Sequence, residues 1–177
     1  FTDRGSVTAL RVRDGSRAWR TYMVDPPRRT GATKSGTATF GPSGAGIWST
    51  PTVEPGHGVM YVTTGDNYSH PATSTSDAIV ALNLKTGRIV WSQQTTPADV
   101  YNSSCGSKGP NCPEDSGPDH DYGAAPMLIR TSRGSTAHPR VSTRVRIHVS
   151  PFAPLRPGLA AGALRPGQTG STRGAAG

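Results

Sequence analysis

The chain has 177 residues, of which 33% are hydrophobic, with 22 Gly, 16 Pro and a formal net charge of +8. It contains no stretch of 18 apolar residues, so the sequence predicts no membrane span, and it does not open with a signal peptide. Residues 131–177 contain seven Arg and no acid and so carry +7 of that charge. This Ser/Thr/Pro/Gly/Arg composition predicts a disordered tail and no specific nucleic-acid partner.

The first predicted element is a hairpin over residues 9–19. The same sequence motif recurs at residues 81–91, 72 positions later. In each copy an Ala-Leu pair precedes a turn glycine, Gly15 or Gly87, and a tryptophan follows the glycine by four residues. Each glycine occupies a place where a two-residue hairpin needs positive φ. We expect the two tryptophans, Trp19 and Trp91, to fill gaps between neighbouring sheets.

A glycine-rich loop at residues 41–49 follows the first hairpin and contains Gly46, Trp48 and Ser49. Glycines let a backbone approach a flat partner closely, and Trp48 could stack on such a partner. Trp48 could equally pack between sheets, although its spacing differs from that of Trp19. The spacing alone leaves both interpretations open.

Short strands at residues 50–53 and 59–63 flank a turn, and the second strand leads into a polar loop at residues 63–69. Asp66 and Asn67 in this loop are adjacent oxygen donors of the kind that Ca²⁺ prefers. Asp-Asn after glycine is also ordinary turn chemistry, and the turn is the default interpretation.

The second hairpin completes a unit of about four strands with long loops, which is the plan of a propeller blade. The sequence of residues 125–129 resembles that of residues 50–53, and Pro126 follows Pro51 by 75 positions, which is close to the spacing of the repeat. No window shows helical periodicity. The sequence therefore predicts an all-β chain built from propeller blades.

Cys105 and Cys112 lie in a loop with almost no apolar anchor. A disulfide would stabilise this loop by restricting the unfolded chain, and it would indicate an oxidising compartment. The alternatives are free thiols or half of a metal site, but no His or further Cys stands nearby at zinc spacing. The disulfide is the favoured interpretation.

Asp119 and Asp121 stand one residue apart in the loop at residues 117–126. Two close carboxylates repel each other, which can raise one pKa and prepare a general base. A solvated loop is the alternative interpretation.

Taken in order, these segments resemble the quinoprotein alcohol dehydrogenases, and most of all their polyvinyl-alcohol dehydrogenase branch. The segments that carry the resemblance are GAGIWSTPTVEP, VMYVTTGDNYS, SDAIVALNLKTGRIVW and GPDHDYGAAPMLI. It covers residues 1–130 and implies about two blades of an eight-bladed β-propeller that holds pyrroloquinoline quinone and Ca²⁺. It also implies an alcohol substrate, a cytochrome c or quinone acceptor for the electrons, and a periplasmic or secreted parent protein.

The resemblance implies a role for each polar loop. Trp48, with Gly46 and Ser49, corresponds to the cofactor-binding segment, where the indole lies under the quinone plane. Asp66, with Asn67, falls where the family places a calcium ligand that is usually Asn. Asp119 falls nearest the catalytic aspartate, and Asp121 is the rival assignment.

The chain departs from the family pattern after Gly134, where a third copy of the repeat is expected. We expect residues 131–177 to be an unrelated or frameshifted terminus, and this chain to be inactive by itself. The alternative function is a non-catalytic propeller scaffold in envelope protein assembly, which would have no need of Trp48, Asp66 or Asp119.

Overall fold

The computed structural model describes residues 1–131 and the strand at 144–148. This part of the chain is all-β, as predicted, and its one helical segment is a 3₁₀ turn at Pro55–His57. No helix in it is long and apolar enough to cross a bilayer. The strands are β1 (Ser6–Leu10), β2 (Arg17–Tyr22), β3 (Arg28–Ala32), β4 (Ala38–Gly41), β5 (Ser43–Gly44), β6 (Thr52–Glu54), β7 (Val59–Thr63), β8 (Asn67–Ser69), β9 (Ala78–Asn83), β10 (Ile89–Gln94), β11 (Met127–Thr131) and β12 (Arg144–His148).

The largest sheet has four antiparallel strands in the order β10-β9-β7-β6. Strand β9 is an unbroken apolar run and is buried along almost its whole length, because other elements cover both of its faces. The core packed around this sheet consists of Met23, Val24, Ala45, Met60, Val62, Ala78, Val80 and Leu82. The predicted four-stranded blade is confirmed.

The hairpins β1–β2 and β9–β10 have longer turns than the sequence predicts. Gly15 and Gly87 have φ values of 69° and 72°, as expected. Each glycine, however, is the last residue of a four-residue loop, and the second loop is closed by a bond from the Asn83 N–H to the Arg88 carbonyl. The prediction of two-residue turns was therefore wrong. The Asn83 carboxamide accepts the N–H groups of residues 85 and 86, which favours the longer loop.

The two repeat tryptophans have different surroundings. The Trp19 Nε1–H donates to the Leu84 carbonyl at 3.1 Å, and its ring packs on Gly87, so Trp19 joins the β1–β2 sheet to the four-stranded sheet. Trp91 is 40% exposed, and its ring centroid lies 5.9 Å from that of Tyr61 in the same sheet. The prediction that these side chains fill gaps between sheets is confirmed for Trp19 and stays a prediction for Trp91, whose ring contact among the described residues is with Tyr61 of its own sheet.

Three two-stranded sheets complete the described fold: β3–β4, β5–β8 and β11–β12. The β3 strand is exposed throughout, and β4 ends where Gly41 packs on the His70 carbonyl. Strand β12 pairs antiparallel with β11. Beyond Thr131, β12 is the part of the predicted tail that the structure describes. The remainder of that prediction, residues 132–143 and 149–177, lies outside the described residues.

Cys105 and Cys112 form a disulfide with an S–S distance of 2.07 Å, as predicted. Successive turns fill the loop between them, and the Asn102 side chain ties its base to the Tyr68 and Asn111 carbonyls.

Replacing both cysteines with serine is expected to destabilise the chain by about 2 kcal/mol, because the disulfide closes a short loop in the unfolded state. Urea unfolding followed by circular dichroism measures the change. The control is the same titration with reductant, which should lower the stability of the unmodified chain to that of the double variant. Equal midpoints for the two proteins without reductant would contradict the expectation.

Candidate functional site

The polar loops identified in the sequence meet at one end of the four-stranded sheet, around a cavity of about 370 Å³. Backbone hydrogen bonds hold the loops together: the Asn67 N–H donates to the Asp99 carbonyl, and the Tyr101 N–H donates to the Asn67 carbonyl. The cavity is lined by Phe1, Asp66, Tyr68, Tyr101, Asn102, Ser103, Asp119 and Asp121. Three of the predicted site residues, Asp66, Asp119 and Asp121, are thus brought together.

Trp48 and Asp121 converge on Gly65. A β-carbon at Gly65 would overlap the Asp121 Oδ1 atom and would lie 2.5 Å from Trp48 Cη2, so only glycine fits between them. Trp48 is 53% exposed, which leaves an indole surface open. Of the two interpretations from spacing, this exposure among the described residues favours stacking.

Gly46 and Ser49 connect the Trp48 loop to its surroundings. The Gly65 N–H donates to the Gly46 carbonyl at 2.9 Å, and a β-carbon at Gly46 would crowd Tyr68 and Trp48. The Ser49 hydroxyl lies 2.6 Å from the Thr63 hydroxyl at the end of β7. Both residues therefore support the position of Trp48.

Asp66 and Asn67 are adjacent but have different environments. Asp66 is buried at the cavity, and its N–H donates to Asp121 Oδ1 at 2.8 Å. The fully buried Asn67 carboxamide accepts the Thr73 N–H and donates to the Ser43 carbonyl and the Thr73 hydroxyl. The Asn67 side chain thus holds the loop at residues 67–73, and Asp66 is the member of the predicted metal pair that lines the cavity.

The loop that contains Asp119 and Asp121 is held in place by Asp99. The buried Asp99 carboxylate accepts the N–H of His120 at 2.9 Å and that of Asp119 at 3.3 Å. Asp119 adopts a positive φ of 64°. Asp99 therefore anchors the backbone between the two predicted catalytic candidates.

Asp77 is a fully buried carboxyl group immediately before β9. Its backbone N–H donates to the Gly65 carbonyl, whereas neither of its carboxyl oxygens has a hydrogen-bond partner among the described residues. Burial, followed by the charges of Asp99, Asp121 and Asp119, raises the pKa of Asp77 to about 8. Asp77 is therefore held as a neutral acid at neutral pH.

The other carboxyl groups of the cluster are also shifted upward. Burial, followed by the charges of Asp121, Asp77, Asp119 and Asp99, raises the pKa of Asp66 to about 9. Burial is also the main cause of the raised pKa of Asp121, which the Asp66 N–H partly offsets, and of Asp119, where the Asp121 charge adds to it. Like charges in a poorly solvated pocket produce this pattern, which is common at functional sites.

A divalent cation would find donors in this cluster, although the cluster is not a complete cage. Among the described residues, no group of three or more His, Cys, Asp or Glu side chains is arranged to hold a metal ion. Asp66 and Asp121 are joined by a backbone hydrogen bond and both line the cavity, so they are the residues that could provide two carboxylate ligands.

Three further residues shape this site without being predicted from the sequence: Gly65, Asp77 and Asp99. Gly65 stands within the loop at residues 63–69, but its role depends on Trp48 and Asp121, which are distant in the chain. Asp77 and Asp99 are single acids beside strands and carry no motif. No signal in the sequence distinguishes them from ordinary turn residues.

The sequence and the described fold match known proteins. Residues 2–109 match the model of the PQQ family, described as the β-propeller domain of glucose/ethanol/alcohol dehydrogenase. A polyvinylalcohol dehydrogenase from a Pseudomonas species is 37% identical over 126 residues, which is 71% of this chain and 20% of the relative. A polyvinylalcohol dehydrogenase from Sphingopyxis is 36% identical over 135 residues, or 74% of this chain and 21% of the relative.

Among solved structures, a quinohemoprotein alcohol dehydrogenase from Pseudomonas putida HK5 superposes with a TM-score of 0.51 at 21% identity. The match covers 84% of this chain and 21% of that structure, and it supports the partial propeller fold. The chain spans about a fifth of the length of the curated relatives it matches.

Proposed function

Because the chain belongs to the PQQ family of glucose/ethanol/alcohol dehydrogenase β-propeller domains, we propose that it forms one side of a site for quinone-dependent alcohol oxidation. The observation that carries this proposal is the convergence of Trp48 and Asp121 on Gly65. A flat aromatic surface and a half-buried carboxylate side by side suit a planar cofactor and a reacting hydroxyl.

Trp48 and Asp66 are the residues that would hold pyrroloquinoline quinone and Ca²⁺ at this site. Trp48 is half exposed, so its indole is open for stacking on a planar ring system. Asp66 offers a carboxylate oxygen to a hard cation, and a cation there would offset the burial and the neighbouring charges that raise the pKa of Asp66. The Asn67 carboxamide holds the loop next to Asp66 in place through its hydrogen bonds to Ser43 and Thr73.

The quinone, when bound, supplies the two-electron oxidant. The role of this chain is to hold and move the proton. Asp121 accepts the hydroxyl proton of the alcohol, because burial raises its pKa and the Asp66 N–H fixes one of its oxygens at 2.8 Å. Asp119 also lines the cavity, but Asp121 is the carboxylate packed at Gly65 beside Trp48. These contacts support Asp121 as the base, with Asp119 as the alternative assignment.

The names of the relatives suggest the substrate and the acceptor. Two are polyvinylalcohol dehydrogenases, and a further relative from Pseudomonas putida is a quinohemoprotein alcohol dehydrogenase. We propose secondary or polymeric alcohols as substrates of the whole protein and a cytochrome-type acceptor for its electrons. The Cys105–Cys112 disulfide supports an oxidising compartment such as the periplasm.

Addition of pyrroloquinoline quinone in the presence of Ca²⁺ is expected to quench the tryptophan fluorescence of the chain. Trp48→Phe should remove most of this quenching, because Trp48 is the tryptophan that lies beside Asp121 at Gly65, whereas Trp19 and Trp91 lie elsewhere in the fold. The measurement is a fluorescence titration corrected for absorption by the quinone.

Trp91→Phe is the matched control, since Trp91 is also partly exposed but packs on Tyr61. Its quenching curve should match that of the unmodified chain after allowance for the lost fluorophore. Equal losses of quenching in the two variants would contradict the proposed cofactor site, as would the absence of any quenching with the unmodified chain.

A further inference from the structure

A second and larger cavity lies beside the candidate site, and the proposed function does not use it. It is a groove of about 570 Å³ between the β3–β4 hairpin and the disulfide loop at residues 105–112, and residues of β8 line it as well. It shares three lining residues with the cavity around Asp66 and Asp121, namely Phe1, Tyr68 and Asn102. The two cavities are therefore adjacent compartments of one surface.

The walls of this groove are held in place from several directions. Gly41 packs on the His70 carbonyl and fixes the hairpin to the end of β8. Asn102 donates to the carbonyls of Tyr68 and Asn111 and fixes the base of the disulfide loop on the opposite side. Lys34 of the hairpin forms an ion pair with Glu114, which connects the two walls. These contacts fix the positions of the two walls relative to each other and so define the groove.

Hydroxyl groups and small apolar surfaces make up much of the lining of the groove, which also includes Lys34, His70, Lys108 and Glu114. Thr30 and Thr39 face each other across the hairpin with their hydroxyl oxygens 3.0 Å apart. Further hydroxyl groups come from Thr33, Thr37 and Ser69, and the apolar surface comes from Ala32, Ala38, Phe40 and Pro110. Hydroxyl groups both donate and accept hydrogen bonds, so they suit a neutral ligand that does the same.

We propose that this groove binds a neutral carbon chain bearing regularly spaced hydroxyl groups, and that it holds the units next to the one being oxidised. Methylene groups of such a chain would pack on Phe40 and the alanines, and its hydroxyl groups would bond to the threonines. The shared residues Tyr68 and Asn102 would let one chain occupy both compartments. This inference rests on the proposed function, because it assigns the groove to the substrate of the same site.

The inference is tested by binding, without cofactor and without turnover. A short polyvinyl alcohol oligomer is titrated into the ¹⁵N-labelled full chain and followed by NMR. Chemical-shift changes should include residues 30–40 and 108–114 of the groove. The oligomer should bind more tightly than pentane-2,4-diol, which offers only two hydroxyl groups. Shifts confined to the cavity around Asp66 and Asp121 would overturn the inference, as would the absence of binding.

Two variants examine the groove separately. Phe40→Ala and Thr39→Val should each weaken oligomer binding by about fivefold to tenfold, because they remove an apolar contact and a hydroxyl partner respectively. Val90→Ala on β10, an exposed strand residue outside the groove, is the control and should bind normally. Unchanged affinity in both groove variants would contradict the inference. If Phe40→Ala does not fold, the binding measurement with Thr39→Val alone still decides.

A polyacrylate oligomer of equal length separates hydroxyl recognition from attraction to Lys34 and Lys108. Tighter, salt-sensitive binding of polyacrylate would overturn the inference. Failure of the quinone titration alone would contradict the proposed function. Failure of oligomer binding while Trp48 quenching persists would contradict only the groove assignment.

Discussion

Asp77→Asn is expected to stabilise the chain, by an amount that grows as the pH rises from about 4 to about 8. Burial and the charges of Asp99, Asp121 and Asp119 raise the pKa of Asp77 from 3.8 to about 8 in the folded chain. Between these values the folded state keeps a proton that the unfolded state releases. The stability of the unmodified chain therefore falls by about 1.4 kcal/mol per pH unit relative to the variant, and the difference is constant above the folded pKa.

The measurement is the free energy of unfolding of both proteins in urea at pH 5, 6, 7 and 8. Asp99→Asn provides a contrast, because Asp99 is equally buried but accepts two backbone N–H groups. That variant should lose about 1–2 kcal/mol, since its carboxamide has one acceptor oxygen in place of two. A pH-independent difference between Asp77→Asn and the unmodified chain would show that Asp77 is not held protonated.

Gly87→Ala is expected to destabilise the chain by about 2–5 kcal/mol. The residue has a φ of 72°, where a β-carbon costs about 1–2 kcal/mol. That β-carbon would also lie 2.5 Å from Trp19 Cε3 and 2.7 Å from Thr21 Oγ1, so the sheets must move apart at a further cost of about 1–3 kcal/mol. Urea unfolding measures the total.

The repeat supplies the matched control, Gly15→Ala. Gly15 has a φ of 69° in an equivalent loop, but a β-carbon there meets no atom within 4 Å. Gly15→Ala should therefore cost only the backbone strain of about 1–2 kcal/mol. In a Trp19→Ala background the cost of Gly87→Ala should fall toward that of Gly15→Ala. Equal costs of the two glycine variants in the unmodified background would contradict a clash with Trp19.

Much of the fold could be predicted from the repeat. Its apolar runs and turn glycines predict the four-stranded blade, since alternation and positive φ are local properties of the chain. The loop length could not be predicted, because it depends on the Asn83 side chain bonding to its own turn. The different surroundings of Trp19 and Trp91 could not be predicted either, since equal spacing does not say which sheet lies opposite.

The candidate site was predictable in its polar loops but not in its connections. Asp66, Asp119 and Asp121 each stand in a recognisable loop, and the structure places them around one cavity. The support from Asp99 and the buried position of Asp77 depend on contacts between loops that are far apart in the chain. Such contacts leave no local pattern, because each acid alone looks like an ordinary turn residue.

The contact between Trp19 and the second repeat joins two unlike surfaces. The first repeat contributes an indole N–H, and the second contributes the Leu84 carbonyl and the bare backbone of Gly87. A head-to-tail contact of this kind can be used again by each successive unit, and it forms a ring when the rotation closes. Gene duplication of one repeat would therefore copy both contacting surfaces at once. A further repeat can then be added to the fold through the same interface.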